Sequence, residues 1–175
     1  MRRLLVLATL LLLISGAAMA DSWFFDFTTV DVGIRSYGNL YGISNGNGTF
    51  TITSGTIHDN ILIADGVIVA NPAPGTEVSI SPSGYFNYDN QLMPTANPLV
   101  DNAGLLFLVR GIEVNIFSNG PGPLTYVRYD NTGLNVGDTF SIVSTPEPGA
   151  VSMLVTMLAG LAGLAAVVVL RRKLA

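Results

Sequence analysis

The stretch GLLFLVRGIEVNIF, residues 104–117, indicates the fold most clearly. Its first half is a continuous apolar run that breaks at Gly111. Its second half alternates, so that Ile112, Val114 and Ile116 are expected on one inner face. The segment SNGPGP follows and ends the second strand, because proline removes a ladder donor and glycine admits turn geometry. The pattern predicts two buried strands joined near Gly111.

Similar short runs, rich in β-branched and aromatic residues, recur along the middle of the chain without helical periodicity. The segment ILIADGVIVA, residues 61–70, predicts a hairpin that turns at Asp65-Gly66, a dipeptide that suits a type I′ turn. Together these runs predict roughly eight to ten strands, and hence an all-β domain at residues 21–144. We expect an antiparallel β-sandwich, jelly-roll-like, with a small barrel as the alternative. The other predicted strands are WFFDFTTV (23–30), TFTIT (49–53), EVSI (77–80), GYFNY (84–88), LTYVRY (124–129) and TFSIV (139–143).

The first 20 residues have the pattern of a secretory signal peptide. A short basic start precedes an apolar core at residues 4–14, and small residues follow at Ala18 and Ala20. We therefore predict a signal helix, export through the Sec route, and a signal peptidase site at Ala18 and Ala20 with cleavage after Ala20. The alternative is an uncleaved anchor helix, but the apolar core is short for a membrane span.

A second apolar segment, residues 149–170, carries no charge and would reach roughly 33 Å as a helix. The basic residues Arg171, Arg172 and Lys173 follow at once and are expected to stay cytoplasmic. The sequence thus predicts a transmembrane helix at 149–170 with a cytoplasmic anchor at 171–173. In this arrangement the β domain faces outward and the protein is held in the inner membrane. A helix of a soluble core is the alternative.

The triplet Pro146, Glu147 and Pro148 stands directly before this segment and is expected to be extended, because proline fixes φ and removes a donor. In this order of export signal, triplet, apolar run and basic end, residues 145–175 resemble a PEP-CTERM sorting signal. The resemblance implies a bacterium that makes exopolysaccharide, and an exosortase that recognises Pro146, Glu147 and Pro148 as substrate residues and removes the tail. The protein would then reach the cell surface or extracellular space. A plain proline linker is the alternative.

The body of the chain has a looser resemblance to a small β-rich type of PEP-CTERM protein. This resemblance brings no catalytic assignment and supports the fold and the destination only. The residues that carry it are Asp89, Asn90, Leu92, Pro94, Gly104, Leu105, Phe107, Thr139, Phe140 and Ile142.

Charge and cysteine content exclude several functions for the body. Residues 21–148 hold all twelve acidic residues and three basic ones, so their formal charge is 3 − 12 = −9. An anionic domain repels nucleic acid, and we expect no nucleic-acid partner. The chain has no cysteine, which excludes disulfides, a thiolate nucleophile and a cysteine metal site.

The sequence also gives little sign of catalysis. His58 is the single histidine and stands beside Asp59, but no Gly-x-Ser-x-Gly elbow offers a nucleophile. We predict no catalytic residue, no metal site and no cofactor. Oxygen ligands from acidic turns could hold Ca²⁺, although solvated turns are the simpler interpretation. These residues are Asp59, Asp65, Asp89, Asp101, Asp130 and Asp138.

Aromatic residues suggest one binding function. The ring faces of Trp23, Tyr37, Tyr41, Tyr85, Tyr88, Tyr126 and Tyr129 could form a platform for sugar rings. The sequence as a whole favours a non-enzymatic surface or extracellular-matrix protein with a structural or adhesive role in exopolysaccharide or biofilm. A carbohydrate-binding module of the cell envelope is the alternative, and an envelope enzyme that uses His58 comes third.

Overall fold

The computed structural model describes residues 21–29, 33–72, 77–145 and 160. The described residues from 21 to 145 form strands joined by turns and loops, so the prediction of an all-β domain is correct. The strands are β1 (Asp21–Thr28), β2 (Arg35–Ser44), β3 (Phe50–Asp59), β4 (Ala64–Ile68), β5 (Ser79–Ile80), β6 (Asn87–Tyr88), β7 (Gln91–Leu92), β8 (Leu105–Val109), β9 (Ile112–Ser118), β10 (Tyr126–Asp130) and β11 (Asn135–Ser144).

Eight of these strands close into an antiparallel barrel. The order is β2-β1-β11-β10-β9-β8-β4-β3, and pairing of β2 with β3 joins the two ends. The predicted β-sandwich is therefore wrong, and the alternative, a small barrel, describes the fold. The physical reason is the long β2–β3 ladder, which runs from Ser36↔Asp59 to Ser44↔Phe50 and leaves neither strand at an edge. Strand β7 adds to the end of β3, and β5 pairs only with β6.

Glycines allow the strands to approach where the barrel closes. A Cβ on Gly38 in β2 would collide with the carbonyl oxygen of Thr56 in β3, and a Cβ on Gly55 would lie 2.7 Å from the carbonyl oxygen of Asn39. Side chains at these positions would force the two backbones apart. The close crossing of β2 and β3 thus depends on residues that lack a side chain.

Side chains fill the barrel interior. The predicted inward face of β9 is confirmed, because Val114 and Ile116 are fully buried and Ile112 packs against the same core. Trp23, Phe25 and Phe27 of β1 are buried with them, and Phe25 packs on Phe107 with ring centroids 5.5 Å apart. The core consists of Trp23, Phe25, Phe27, Leu40, Ile52, Ile57, Ala64, Ile68, Leu92, Val100, Leu105, Phe107, Val109, Val114, Ile116, Tyr126 and Phe140.

The hairpin predicted at residues 61–70 is wrong. The turn lies at residues 60–63, and Asp65 and Gly66 belong to β4. Two backbone N–H groups of this turn, those of Ile61 and Leu62, donate to the Asp59 carboxylate at 3.0 and 2.9 Å. An aspartate side chain that accepts hydrogen bonds from the turn that follows it is a stronger turn signal than an Asp-Gly dipeptide. The turn therefore lies several residues before the predicted Asp65-Gly66 position.

A short hairpin formed by β5 and β6 covers part of the outer barrel surface. Phe86 and Tyr88 pack there against Leu106, which points outward from β8. This explains why the predicted strand run at residues 104–109 is apolar on both faces. One face lies in the barrel core, and on the other face Leu106 lies beneath the hairpin while Leu108 remains exposed.

Among the residues that the structure describes, no helix is long and apolar enough to cross a membrane. The structure therefore gives no support to the predicted transmembrane anchor at 149–170, a segment of which it describes only Gly160. Residues 1–20 and 146–175, apart from Gly160, lie outside the described part. The predicted signal peptidase site, sorting triplet and basic anchor all fall within those two segments.

Candidate ligand-binding groove

A groove of about 490 Å³ crosses strands β1 to β4 on the outer surface of the barrel. Its volume lies in the range of about 300–1,000 Å³ that is usual for small-molecule sites. Side chains of alternate residues form its two walls, because successive residues of a strand point to opposite faces. We call this feature the outer groove. Its side-chain lining comes from Phe24, Tyr37, Asn39, Thr56, His58, Asp65 and Val67.

The first wall is a cross-strand row of Tyr37, His58 and Asp65. The ladders place Tyr37 opposite His58, and His58 opposite Asp65. The imidazole Nδ1 lies 2.7 Å from the Asp65 carboxylate, and the ring centroids of Tyr37 and His58 are 5.2 Å apart. The Asp65 side chain is 85% exposed, so most of its carboxylate remains open to a ligand.

An ion pair closes the β1 side of this wall. Arg35 donates to both carboxylate oxygens of Asp26, at 2.6 to 3.1 Å, and its guanidinium carbon lies 4.7 Å above the ring centre of Tyr37. The hydrogen bonds from Arg35 lower the pKa of Asp26, so this carboxylate stays charged. The Arg35 guanidinium thus covers one face of the Tyr37 ring.

The second wall is formed by Phe24, Asn39, Thr56 and Val67. Phe24 lies opposite Asn39, and Thr56 lies opposite Val67. Asn39 faces Thr56, because the neighbouring ladder pairs are Tyr37↔His58 and Leu40↔Gly55. This wall therefore offers an amide and a hydroxyl between two apolar side chains. The Phe24 ring approaches Tyr37, with centroids 6.2 Å apart, and closes the groove at the β1 end.

The groove is held from inside the barrel. Asp59, next to His58, points inward, where it accepts from Ser36 at 2.9 Å and from Arg128 Nε at 3.0 Å. The other oxygen of the same carboxylate holds the turn at residues 60–63. This turn sets the pairing of β3 with β4, and hence the position of Asp65 beside His58.

The structure separates the residues that the sequence had grouped. His58 pairs with Asp65 on the outer surface, whereas its sequence neighbour Asp59 faces the core, so the suggested His58–Asp59 pair does not form. The predicted aromatic platform also does not form as one surface. Trp23, Tyr88 and Tyr126 are buried. Tyr37 lines the groove, Tyr41 lies outside its lining, and Tyr85 and Tyr129 share a hydroxyl hydrogen bond of 2.8 Å near the β5–β6 hairpin.

The acidic residues are likewise dispersed. Asp59 and Asp130 hold Arg128 inside the barrel. Burial raises the pKa of Asp89 to about 7, and the nearby Asp101 carboxylate adds to this rise. Within the described residues, no three acidic or histidine side chains come together in a way that could hold a metal ion.

Sequence reasoning missed Phe24, Asn39, Thr56 and Val67 as site residues, and it considered Asp65 only as a possible Ca²⁺ ligand. The available signal was the outward phase of each strand, since Tyr37 and Asn39 alternate with inward Ser36, Gly38 and Leu40. Identifying the groove also requires the β2–β3 pairing, which joins residues about twenty positions apart.

Comparison of the chain with protein-family models, with curated proteins and with solved structures finds no match. The resemblance of the tail to a PEP-CTERM sorting signal thus has no support from relatives. Recognition of Pro146, Glu147 and Pro148 by an exosortase stays a prediction.

Proposed function

We propose that this protein is a non-catalytic carbohydrate-binding barrel that holds a glycan in the outer groove. The observation that carries the proposal is the chemistry of the two walls. Ring surfaces of Phe24 and Tyr37 stand beside hydrogen-bonding groups of Asn39, His58 and Asp65. Sugars present apolar C–H faces and a rim of hydroxyls, so a site that combines aromatic rings with polar groups suits them.

The contacts of His58 favour binding over catalysis. Its ring nitrogen is hydrogen-bonded to Asp65, and among the described residues no hydroxyl is hydrogen-bonded to the imidazole. Acyl transfer by a Ser-His-Asp arrangement needs a nucleophile in that position. The His58–Asp65 pair is instead suited to accept hydrogen bonds from ligand hydroxyls and to donate hydrogen bonds to them.

The position of the groove on paired strands also favours a binding role. Its side chains come from the regular ladders of β1 to β4, and the barrel core lies directly beneath them. A site of this kind is largely formed before the ligand arrives, which reduces the entropy cost of binding. The proposal fits the adhesive role expected from the sequence, because adhesion to a polysaccharide requires such a contact.

Calorimetric titration of neutral oligosaccharides into the wild-type protein, the Tyr37→Ala variant and the Tyr41→Ala variant tests this function. Tyr41 is the matched control, since it lies four residues along the same strand and outside the groove lining. We expect Tyr37→Ala to weaken binding at least about tenfold, or about 1.4 kcal/mol, and Tyr41→Ala to leave it unchanged. Equal affinity of all three proteins, or binding by none of them, would contradict the proposal.

A further inference from the structure

We infer that the outer groove selects amino sugars, whose ammonium group pairs with Asp65, over sugars that carry a carboxylate. This inference rests on the proposed function and adds the class of glycan. The inference depends on the formal charges of the side chains that line or border the outer groove.

Asp65 is the only carboxylate in the described lining, which holds no lysine or arginine. Its carboxylate accepts one hydrogen bond, from His58 Nδ1 at 2.7 Å, and its side chain is 85% exposed. A carboxylate oxygen can accept more than one hydrogen bond, so this group retains acceptor capacity toward the groove. An ammonium group would add a charge-assisted hydrogen bond, whereas a ligand carboxylate would meet a like charge.

The two arginines nearest the groove are engaged elsewhere. Arg35 is bound through two nitrogens to Asp26. Arg110 would follow Val109 opposite Asp65 in the β4–β8 ladder, but its guanidinium lies 3.4 Å from the carbonyl oxygen of Leu62. Neither arginine lines the groove, and neither forms an ion pair with Asp65 in the described part of the chain.

The net charge of the domain also favours a cation. Residues 21–148 carry a formal charge of 3 − 12 = −9. This field attracts cationic polymers and slows the approach of anionic ones.

The test is a titration at neutral pH and low salt with three oligosaccharides of equal length, made of glucosamine, N-acetylglucosamine and glucuronic acid. The wild-type protein is expected to bind the glucosamine oligomer about two- to fivefold more tightly than the acetylated one, the range of an exposed ion pair. It is expected to bind the glucuronate oligomer most weakly. The Asp65→Asn variant should lose the preference for the amine, and Asp21→Asn, an exposed charge outside the lining, should keep it.

The outcomes separate the two ideas. Binding of the acetylated oligomer with equal or greater affinity than the amine overturns the amino-sugar inference and leaves the glycan-binding function standing. Retention of the amine preference in Asp65→Asn also overturns the inference. Failure of every oligosaccharide to bind overturns both.

Discussion

Arg128 Nε donates to Asp59 Oδ2 over 3.0 Å inside the barrel, and both side chains are fully buried. Their strands, β10 and β3, lie on opposite sides of the closed sheet, so this ion pair crosses the interior. Arg128 Nη1 also donates to Asp130 at 2.6 Å. Burial acts to raise the pKa of Asp130, but hydrogen bonds from Thr132 and Arg128 outweigh it and lower the value. Arg128 therefore connects strands β3 and β10 across the barrel interior. It also connects the turns that follow Asp59 and Asp130.

Removal of the Arg128 charge should destabilise the barrel strongly. In Arg128→Met the side-chain stem is kept, but Asp59 and Asp130 lose their positive partner in a site without solvent. We expect a loss of about 3–5 kcal/mol in the free energy of unfolding, measured in urea. The control is Arg35→Met, which breaks an exposed pair and should cost much less. Equal losses in the two variants would show that the buried network does not hold the barrel.

Stability should fall as pH rises toward neutrality because of Asp89. Burial raises the pKa of this carboxyl group from 3.8 to about 7, and Asp101 adds to the effect although the Gln91 N–H opposes it. Between pH 4 and 7 the folded protein keeps a proton that the unfolded chain releases, so ionisation favours unfolding in this window. Urea unfolding of wild type and Asp89→Asn across that range measures the effect. The variant should show a flatter profile, and parallel profiles would disprove the assignment.

Gly38 should be intolerant of even a methyl group. A Cβ there would collide with the Thr56 carbonyl oxygen, which belongs to the backbone and cannot rotate away. We expect Gly38→Ala to cost about 1–3 kcal/mol or more. The matched control is Gly137→Ala in β11, where the new Cβ would lie 3.5 Å from the nearest atom and the change should be neutral or slightly stabilising. Thermal unfolding compares the two variants. Similar unfolding midpoints would contradict the claim that closure of the barrel depends on Gly38.

Ile63 offers a stabilising substitution. Its φ is 49°, in the left-handed region that β-branched residues avoid, and the residue is 75% exposed. Asparagine tolerates this conformation, so Ile63→Asn should raise the free energy of unfolding by about 1 kcal/mol. Ile43→Asn, in the exposed part of β2, should give no such gain because asparagine is a poor strand residue. A lower free energy of unfolding for Ile63→Asn than for the wild type would refute the backbone strain at Ile63.

The local patterns predicted strands well and the global pairing poorly. Alternation placed Val114 and Ile116 inward, because this prediction depends only on neighbours in one strand. The distinction between sandwich and barrel depends on whether β2 meets β3 along its whole length, a contact that no short window contains. The glycines at 38 and 55 were the available hint, because glycine inside a strand often marks a close approach of another backbone.

The residues of the outer groove were hard to predict for the same reason. His58 and Asp65 are seven residues apart, and the predicted turn at Asp65-Gly66 would have kept the aspartate out of a strand. The actual turn places both residues on one outer face. Asp59 and Asp65 are chemically alike, yet one is buried and the other exposed, because strand phase decides which way each points.

Amide NMR spectra recorded during titration of a neutral oligosaccharide into the wild-type protein test the central claim most directly. If the outer groove binds the sugar, the shifts should concentrate at residues 37–39, 56–58 and 65–67 and spare the β5–β6 hairpin around Ser79–Ile80 and Asn87–Tyr88. Shifts centred on the hairpin, or no shifts at saturating sugar, would contradict a glycan site in this groove.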